Sequence, residues 1–455
     1  MKKFLSLLLA MTLVLSCLSL TSALAEPTKI RIAWLDLSEN DKMDPLSGIV
    51  TKGSGELKAL IESKLDNVEI EIVNVPGDGW IQTMEVLCTS GEVDMGWYTN
   101  QVLAAEWFLD NRELMANDPV FTEEYFEATF TPVAKQYTRY HTYDFPQYKD
   151  AIIGLPYDMG SYWYMYDAEL FEQWGVEMPA QEDLTFEKLL ELAQKTTGIN
   201  PVTGQQNYGC FIRPYWCEWV GVGFDMYKMI DDDEMDISKF DIAANVDYIK
   251  DSPEVLRYFN ILKGLIECCP PGAASNSGWE NFMTADNNIA IMLDCSHTNT
   301  YLNYLYGGMT EVTDRFKPFL PLTGEQGVTG FPEVHHVAIC KNVAPEKRDI
   351  CWEINKLIAT DTDILNWLYH NHSWTSVPGL VDTTGIEIMD NEFAAMRYQD
   401  RLQHSLITDD YWHWREPINA MLSSFFAGQL TPEQAREQFH ADVTKWVQNK
   451  QAQAK

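Results

Sequence analysis

Residues 68–75 read VEIEIVNV, in which apolar and acidic residues alternate. This pattern predicts a strand with one buried face. Residues 29–35 and 93–97 have the composition of two further short strands, and residues 55–65 and 80–90 have helical patterns between them. The order β-α-β-α-β predicts an α/β fold with a parallel sheet and right-handed crossovers.

The same alternation continues through the rest of the chain. The further predicted elements are helices over residues 186–195, 253–266 and 345–360 and short buried strands over residues 289–294 and 334–339. Ligands of parallel α/β sheets bind beyond the carboxyl ends of the strands. In the N-terminal part of this chain, those ends are residues 35–39 and 97–101.

Charge and composition restrict the class of protein. Among the 455 residues, 67 are acidic and 33 are basic, which gives a net charge of −34. Apolar residues make up 46% and charged residues 22%, which is typical of globular chains and not of disordered acidic tails. The negative charge argues against binding to nucleic acid or to an anionic lipid surface, since both need Lys and Arg partners. The length favours two or three domains.

The first 25 residues have the pattern of an export signal. Residues 1–3 carry two lysines, residues 4–14 are apolar, and the sequence ALA at residues 23–25 resembles a cleavage site. A transmembrane anchor is the alternative, but the apolar run is short for a membrane span. The sequence VLSC, which ends at Cys17, also resembles a lipoprotein box. We predict export to the extracellular side of the cell envelope, in a soluble form or with a lipid anchor on Cys17.

The sequence contains no signature of catalysis or of metal binding. It has no H-E-x-x-H, G-x-S-x-G, Walker, G-x-G-x-x-G or C-x-x-C motif. The adjacent His335 and His336 would point to opposite faces of a strand, so they cannot hold one metal ion together. The eight cysteines after Cys17 are interpreted as mostly structural. We predict no catalytic residue, no metal and no cofactor, although a glycosidase-type pair of carboxylates stays open.

The chain is rich in aromatic residues, with 15 Trp, 21 Tyr and 20 Phe. Most of them are expected to pack in cores, but several lie beside Gly, Asn, Asp or Ser in predicted loops and at strand ends. Flat rings together with carboxylates and amides suit a neutral polyol such as a sugar. Rings and carboxylates also suit a cationic solute, so that alternative stays open.

Five segments, in a fixed order, connect the chain to a known family. They are residues 93–98 (VDMGWY), 151–171 (AIIGLPYDMGSYWYMYDAELF), 281–294 (NFMTADNNIAIMLD), 337–339 (VAI) with the helix that follows, and 426–435 (FAGQLTPEQA). Their order and spacing resemble those of the extracellular solute-binding proteins of ABC importers, in the sugar-type family that includes maltose-binding protein. The resemblance extends from about residue 29 to residue 446. Residues 332–335 (PEVH) replace a Gly-rich start of the family's second hinge strand.

The resemblance implies a periplasmic-binding-protein-like fold of type II, in which two α/β lobes are joined by hinge segments. Carried over by position, lobe 1 comprises residues 26–152 and 338–373, and the mostly helical lobe 2 comprises residues 153–337 and 374–455. The crossing segments are then expected near residues 152–157, 331–338 and 373–378. A solute bound between the lobes would shift an equilibrium between open and closed forms.

The same positions imply a set of solute-binding residues at strand ends and in loops of both lobes. Lobe 1 would provide Glu39, Trp97, Tyr98 and Asn100. Lobe 2 would provide Asp158, Arg213, Tyr215, Trp216, His297, Trp412 and Trp414, with Trp374 at a crossing. If Trp97 or Trp216 contacts the solute, its replacement by Ala should weaken binding with little effect on the fold.

The resemblance implies a monomeric substrate-binding protein that captures a mono- or oligosaccharide and delivers it to the membrane permease of an ABC transporter. It implies neither an enzyme nor a nucleic-acid partner. Two alternatives stay open. One is a protein of the same kind that binds a polyamine, a peptide or another cationic solute. The other is a secreted carbohydrate-active enzyme.

Overall fold

Strands and helices alternate along the chain in the computed structural model. It describes residues 26–43, 50–77, 79–99, 104–139, 146–161, 163–212, 214, 224, 238–275, 277–279, 281–282, 284–295, 315–319, 322, 332–371, 377–381, 418 and 421–453. The strands are β1 (Thr28–Leu35), β2 (Lys42–Met43), β3 (Val50–Thr51), β4 (Val68–Val75), β5 (Met95–Thr99), β6 (Leu155–Ser161), β7 (Trp163–Asp167), β8 (Gly198–Ile199), β9 (Gln206–Phe211), β10 (Ile289–Cys295), β11 (Phe316–Phe319) and β12 (Pro332–Ile339). The α-helices are α1 (Gly55–Ser63), α2 (Trp80–Ser90), α3 (Ala104–Trp107), α4 (Arg112–Asn117), α5 (Glu123–Thr129), α6 (Pro132–Thr138), α7 (Ala168–Gln173), α8 (Phe186–Lys195), α9 (Ile242–Asn245), α10 (Pro253–Glu267), α11 (Arg348–Thr360), α12 (Thr362–Asn371) and α13 (Pro432–Gln453).

The elements predicted from periodicity are observed, with small shifts at their ends. The strand β4 and the helix α2 have the predicted bounds, whereas β5 begins two residues later than predicted. The residue before it, Asp94, accepts the backbone N–H of Arg31 at 2.9 Å and contacts Lys347 Nζ at 3.0 Å. Asp94 therefore connects the start of β5 to β1 and to the residue before α11.

The first sheet has the strand order β4-β1-β5-β12-β6. β1 pairs in parallel with both β4 and β5, as the β-α-β-α-β pattern predicted. β12 is antiparallel to both β5 and β6, so β6 runs in the same direction as β5. The carboxyl ends of β1, β4, β5 and β6 therefore share one edge of the first sheet.

The second sheet has the strand order β11-β7-β10-β9-β8. β10 is parallel to β9 and antiparallel to β7, which in turn pairs with β11. Helix α10 packs against β9, α8 and α13. The two sheets have separate hydrophobic cores in the described residues, one around side chains such as Ile32 and Met95 and the other around side chains such as Phe259 and Phe439.

The chain passes from the first sheet to the second between Ser161 and Trp163. The sequence analysis placed this passage near residue 152 and the return near residue 338. The strands β6 and β12 lie wholly in the first sheet, because they pair with each other and extend that sheet through β5. Their side chains, including Tyr157 and Val334, belong to the first core. The assignment of the other residues to two lobes stays a prediction.

Candidate functional site

Three strands bring polar side chains together at the carboxyl edge of the first sheet. The backbone of His335 in β12 pairs with Thr99 of β5 on one side and with Asp158 of β6 on the other. His335 Nδ1 lies 2.5 Å from Asp158 Oδ2. The side chain of Asp158 is 5% exposed and that of His335 is 22% exposed. The pair is therefore a largely buried carboxylate that orients a more accessible imidazole.

A β-bulge at Tyr157 explains how two adjacent residues of β6 contribute to the same group. The register of β6 against β12 shifts between His335 and His336, which leaves Tyr157 as the extra residue. A bulge of this kind redirects side chains that strict alternation would place on opposite faces. Tyr157 Oη accepts a hydrogen bond from Trp97 Nε1 at 2.9 Å, while Asp158 contacts His335.

An aromatic cluster adjoins this pair, and we define it as Trp34, Trp80, Trp97, Tyr157 and His335. The ring centroids of Trp97 and Trp80 are 5.2 Å apart in an edge-to-face arrangement, and those of Trp97 and His335 are 4.9 Å apart. The rings of Trp34 and Tyr157 are 5.3 Å apart. Trp97 is only 3% exposed, whereas Trp80 is partly exposed. Trp97 therefore supports the cluster from below, and Trp80 and His335 present its accessible part.

The loop after β4 places Trp80 at this edge. Gly77 N–H donates to Asp36 Oδ1 at 3.2 Å, which ties the loop after β4 to the turn after β1. Gly79 then has a φ of +69°, a left-handed conformation that favours glycine, and α2 begins at the next residue. Trp80 is thus the first residue of a helix whose N-terminus lies at the carboxyl end of a parallel strand.

Two polar groups within the cluster have defined chemical states or an unmet hydrogen bond. Burial and the Asp158 carboxylate raise the pKa of Tyr157 well above its usual range, although hydrogen bonds from the Trp97 and Trp34 indoles lower it. Tyr157 is therefore a neutral phenol. Thr99 is 3% exposed, and its Oγ1 makes no hydrogen bond. A buried hydroxyl of this kind is uncommon in native structures, where most buried polar atoms have a partner.

The opposite face of the first sheet is core and carries two residues of interest. Tyr98 donates a hydrogen bond to the carbonyl O of Ile153, and its ring stacks on His336 at 4.6 Å. His336 Nε2 lies 2.9 Å from Thr138 Oγ1, and burial, together with the nearby His335, lowers its pKa to about 3. Tyr98 was predicted to bind the solute, but the structure places it in the core. The two histidines point to opposite faces, as predicted.

The other predicted residues are less informative. Glu39 lies exposed in the turn after β1, whose backbone approaches Gly53 so closely that a Cβ there would lie 2.4 Å from the Glu39 carbonyl O. Eight predicted residues lie outside the described residues. They are Asn100, Arg213, Tyr215, Trp216, His297, Trp374, Trp412 and Trp414. The predicted cleavage site and Cys17 also lie outside them.

Sequence reasoning did not identify Trp34, Trp80, Tyr157, Thr99 or His335 as site residues. Two signals pointed to some of them. Residue 99 belongs to a predicted strand end, and residue 80 follows a glycine at the predicted start of a helix. Within the described ranges, no group of three or more His, Cys, Asp or Glu side chains is placed to hold a metal ion.

Comparison with known proteins shows the family. Residues 50–240 match the family described as bacterial extracellular solute-binding protein. The predicted family is therefore confirmed. This family consists of solute-binding proteins that act outside the cytoplasm. No helix in the described part of the chain is long and apolar enough to cross a membrane. A search of curated protein sequences finds no significant match.

Solved structures of solute-binding proteins share the fold. The maltose-bound MalE3 of T. maritima aligns with a TM-score of 0.67 and 13% identity over 92% of this chain and 99% of its own. The substrate-binding protein Lmo0181 of Listeria monocytogenes, in complex with cycloalternan, gives 0.66 and 13% over 92% and 98%. A solute-binding protein of Agrobacterium vitis with bound D-mannitol gives 0.64 and 16% over 93% and 99%. The predicted α/β fold of the periplasmic-binding-protein type is confirmed.

Proposed function

We propose that this protein captures a carbohydrate, as a mono- or oligosaccharide or a related polyol, and delivers it to the permease of an ABC importer. The observation that carries the proposal is the aromatic cluster beside the Asp158–His335 pair at the carboxyl edge of the first sheet. Solved proteins of the same fold are bound to maltose, to cycloalternan and to D-mannitol. In an α/β sheet, this edge is the usual place for a ligand.

The cluster has the chemical groups that a sugar requires. A sugar ring has apolar C–H faces, which stack on indole rings, and hydroxyl groups, which need donors and acceptors. The partly exposed Trp80 offers a ring, and the Asp158–His335 pair and the hydroxyl of Thr99 offer polar groups within the same edge. Trp97 and Tyr157 hold this arrangement rigid, because both are buried and are hydrogen-bonded to each other.

The solute would also contact the second lobe, from which the proposal retains the residues predicted from the sequence. They are Arg213, Tyr215, Trp216, His297, Trp412 and Trp414, with Trp374 at a crossing. Contacts to both lobes would stabilise the closed form relative to the open form. The strands β6 and β12 lead into the crossings, and the Asp158–His335 pair joins them on the first-sheet side.

The finer points of the proposal concern catalysis, assembly and location. The protein would act as a monomer and would not alter its solute chemically, as expected of a solute-binding protein. Residues 1–25 would be removed on export. Attachment of a lipid at Cys17 is the alternative to a freely diffusing form.

A ligand screen tests the proposal. The purified chain is heated with maltose, maltotriose, D-mannitol, spermidine or a short peptide, and any stabilising solute is then titrated by calorimetry. A saturable stabilisation by a saccharide or polyol, with no new product by chromatography, is expected. Stabilisation by spermidine or peptide alone would overturn the sugar assignment and leave the family intact. Conversion of the sugar to a product would show an enzyme.

A pair of variants on α2 tests the position of the site. Trp80→Ala should raise the Kd for the identified solute about tenfold or more, since an aromatic anchor in a binding site contributes on the order of 2 kcal/mol. Val86→Ala on the same helix is the matched control, because Val86 is also exposed and is no part of the cluster. Equal Kd values for the two variants would place the solute elsewhere.

A further inference from the structure

Two cysteine thiols in the second core are close enough to react with each other. Cys210 lies in β9 and Cys269 follows the end of α10, and their Sγ atoms are 3.8 Å apart. Both thiols donate to the carbonyl O of Leu265, at 3.2 Å and 3.4 Å. This shared acceptor keeps the two sulfur atoms on the same side. An S–S bond of about 2.0 Å needs an approach of less than about 2 Å, which side-chain rotation can supply.

The two thiols differ in accessibility. Cys210 is completely buried, whereas Cys269 is partly exposed. Among the described cysteines, Cys269 alone has this exposure, and the other five are buried. A dissolved disulfide therefore meets Cys269 first, with Cys210 directly behind it. This arrangement of one accessible and one inner thiol is what a two-step thiol exchange requires.

The neighbouring thiols lack one condition or the other. Burial raises the pKa of the Cys268 thiol, and a hydrogen bond with Thr197 lowers it, so this thiol is directed to Thr197. Cys340 lies beside Cys88, but burial raises the pKa of Cys340 well above its ordinary value. Burial also raises the pKa of Cys351 to about 12. Thiols of this kind are unreactive, because the thiolate is the nucleophile.

We propose that Cys210 and Cys269 form a reversible intramolecular disulfide by exchange with a small external disulfide such as glutathione disulfide. The Cys269 thiolate attacks one sulfur of the external disulfide, whose S–S bond breaks, and one glutathione thiolate leaves. The Cys210 thiolate then attacks Cys269 Sγ in the mixed disulfide, and the second glutathione thiolate leaves. The protein gives up two protons and two electrons, and the external disulfide is reduced to two thiols.

The bond would crosslink β9 to the segment after α10 and close a loop that contains the whole of α10. Closure of a loop this long restricts the unfolded chain, and the chain-entropy argument predicts that the melting temperature of the second lobe rises by about 10 °C at most. The modification is independent of the proposed solute-binding function, since none of its atoms belongs to the aromatic cluster.

Peptide mapping tests the proposal. The folded chain is incubated with excess glutathione disulfide, quenched with N-ethylmaleimide, unfolded, digested and analysed by mass spectrometry. We expect a crosslinked peptide that contains Cys210 and Cys269, the loss of two alkylatable thiols, and full recovery of both with dithiothreitol. Absence of the crosslink, or a crosslink from Cys269 to Cys217 or Cys268, would overturn the proposal.

Variants separate the two steps. Cys269→Ser should abolish the loss of thiols, whereas Cys210→Ala should stop the reaction at a glutathione adduct on Cys269. Cys268→Ser and Cys351→Ser are matched controls and should form the crosslink at the rate of the unmodified sequence. Because Cys269 is partly exposed, its replacement by Ser does not leave a core cavity. Loss of two thiols in the folded Cys269→Ser variant would refute the assignment even if Cys210→Ala does not fold.

Discussion

The replacement Trp97→Ala should act on stability more than on solute binding. The sequence alone predicted the opposite, because it placed Trp97 at a strand end in the cleft. The side chain is 3% exposed, packs against Trp80 and His335, and donates to Tyr157. Truncation of a buried Trp to Ala costs about 3–5 kcal/mol. We expect about 4 kcal/mol, because the Tyr157 hydroxyl retains its hydrogen bond from the Trp34 indole.

The loss is measured by urea unfolding, followed by far-UV circular dichroism so that removal of a fluorophore does not affect the signal. A loss of about 4 kcal/mol corresponds to a fall in melting temperature of roughly 8–16 °C for a unit of this size. Trp97→Phe serves as a control, since it keeps most of the ring and removes only the Nε1 donor, and should lose about 1–2 kcal/mol. A Trp97→Ala variant that loses less than about 1 kcal/mol while its Kd rises more than tenfold would refute the reasoning.

Three further predictions concern charge. The lowered pKa of His336, about 3 in the fold, means that the unfolded chain binds the proton more readily, so stability is complete above about pH 6.5 and falls as the pH decreases. Urea unfolding should show a loss of about 2 kcal/mol between pH 7 and pH 5, and His336→Gln should remove that loss. Burial opposes ionisation of Asp118, but hydrogen bonds from Lys356 and from neighbouring backbone N–H groups hold its pKa well below its usual range. Asp118→Asn should therefore destabilise the protein at pH 7 and flatten the loss of stability below about pH 4 in acid titrations. Asp158→Asn removes the carboxylate that orients His335, and calorimetry should show a Kd about tenfold higher.

Each of these predictions has a result that contradicts it. An unchanged pH dependence in His336→Gln would mean that another group titrates between pH 5 and pH 7. Equal acid sensitivity of Asp118→Asn and the unmodified chain would show that the ion pair with Lys356 makes no net contribution. An unchanged Kd in Asp158→Asn would separate the Asp158–His335 pair from the solute.

The strands and helices were predictable because their patterns are local. The alternation in β4 and the helical periods of α2, α8 and α10 depend on residues a few positions apart, and the observed bounds match within one or two residues. The N-cap of α8 is also local, since Thr185 Oγ1 accepts the N–H of Lys188 at 3.1 Å. The order of these elements was enough to predict the α/β class, and the five family segments were enough to predict the family.

The composition of the site was much less predictable. Trp97 and Tyr98 are adjacent in β5 and look equally suitable as solute contacts, but the sheet is covered on both faces and buries both. Trp80 was interpreted only as the start of a helix, and its contact with Trp97 joins residues that are distant in the chain. His335 was interpreted as solvated or buried, because nothing near it in the sequence indicates Asp158 as its partner.

The sequence by itself determined the secondary structure, the α/β class, the family and the aromatic and acidic character of the chain, because each of these depends on composition or on short-range periodicity. The tertiary structure decided which rings are accessible, how the bulge at Tyr157 directs two side chains to one group, and which thiols meet. These features depend on pairings between residues about 60 to 180 positions apart in the chain, such as Trp97 with Tyr157 and Asp158 with His335. No local pattern records such pairings, since their register is set by how complete strands pack.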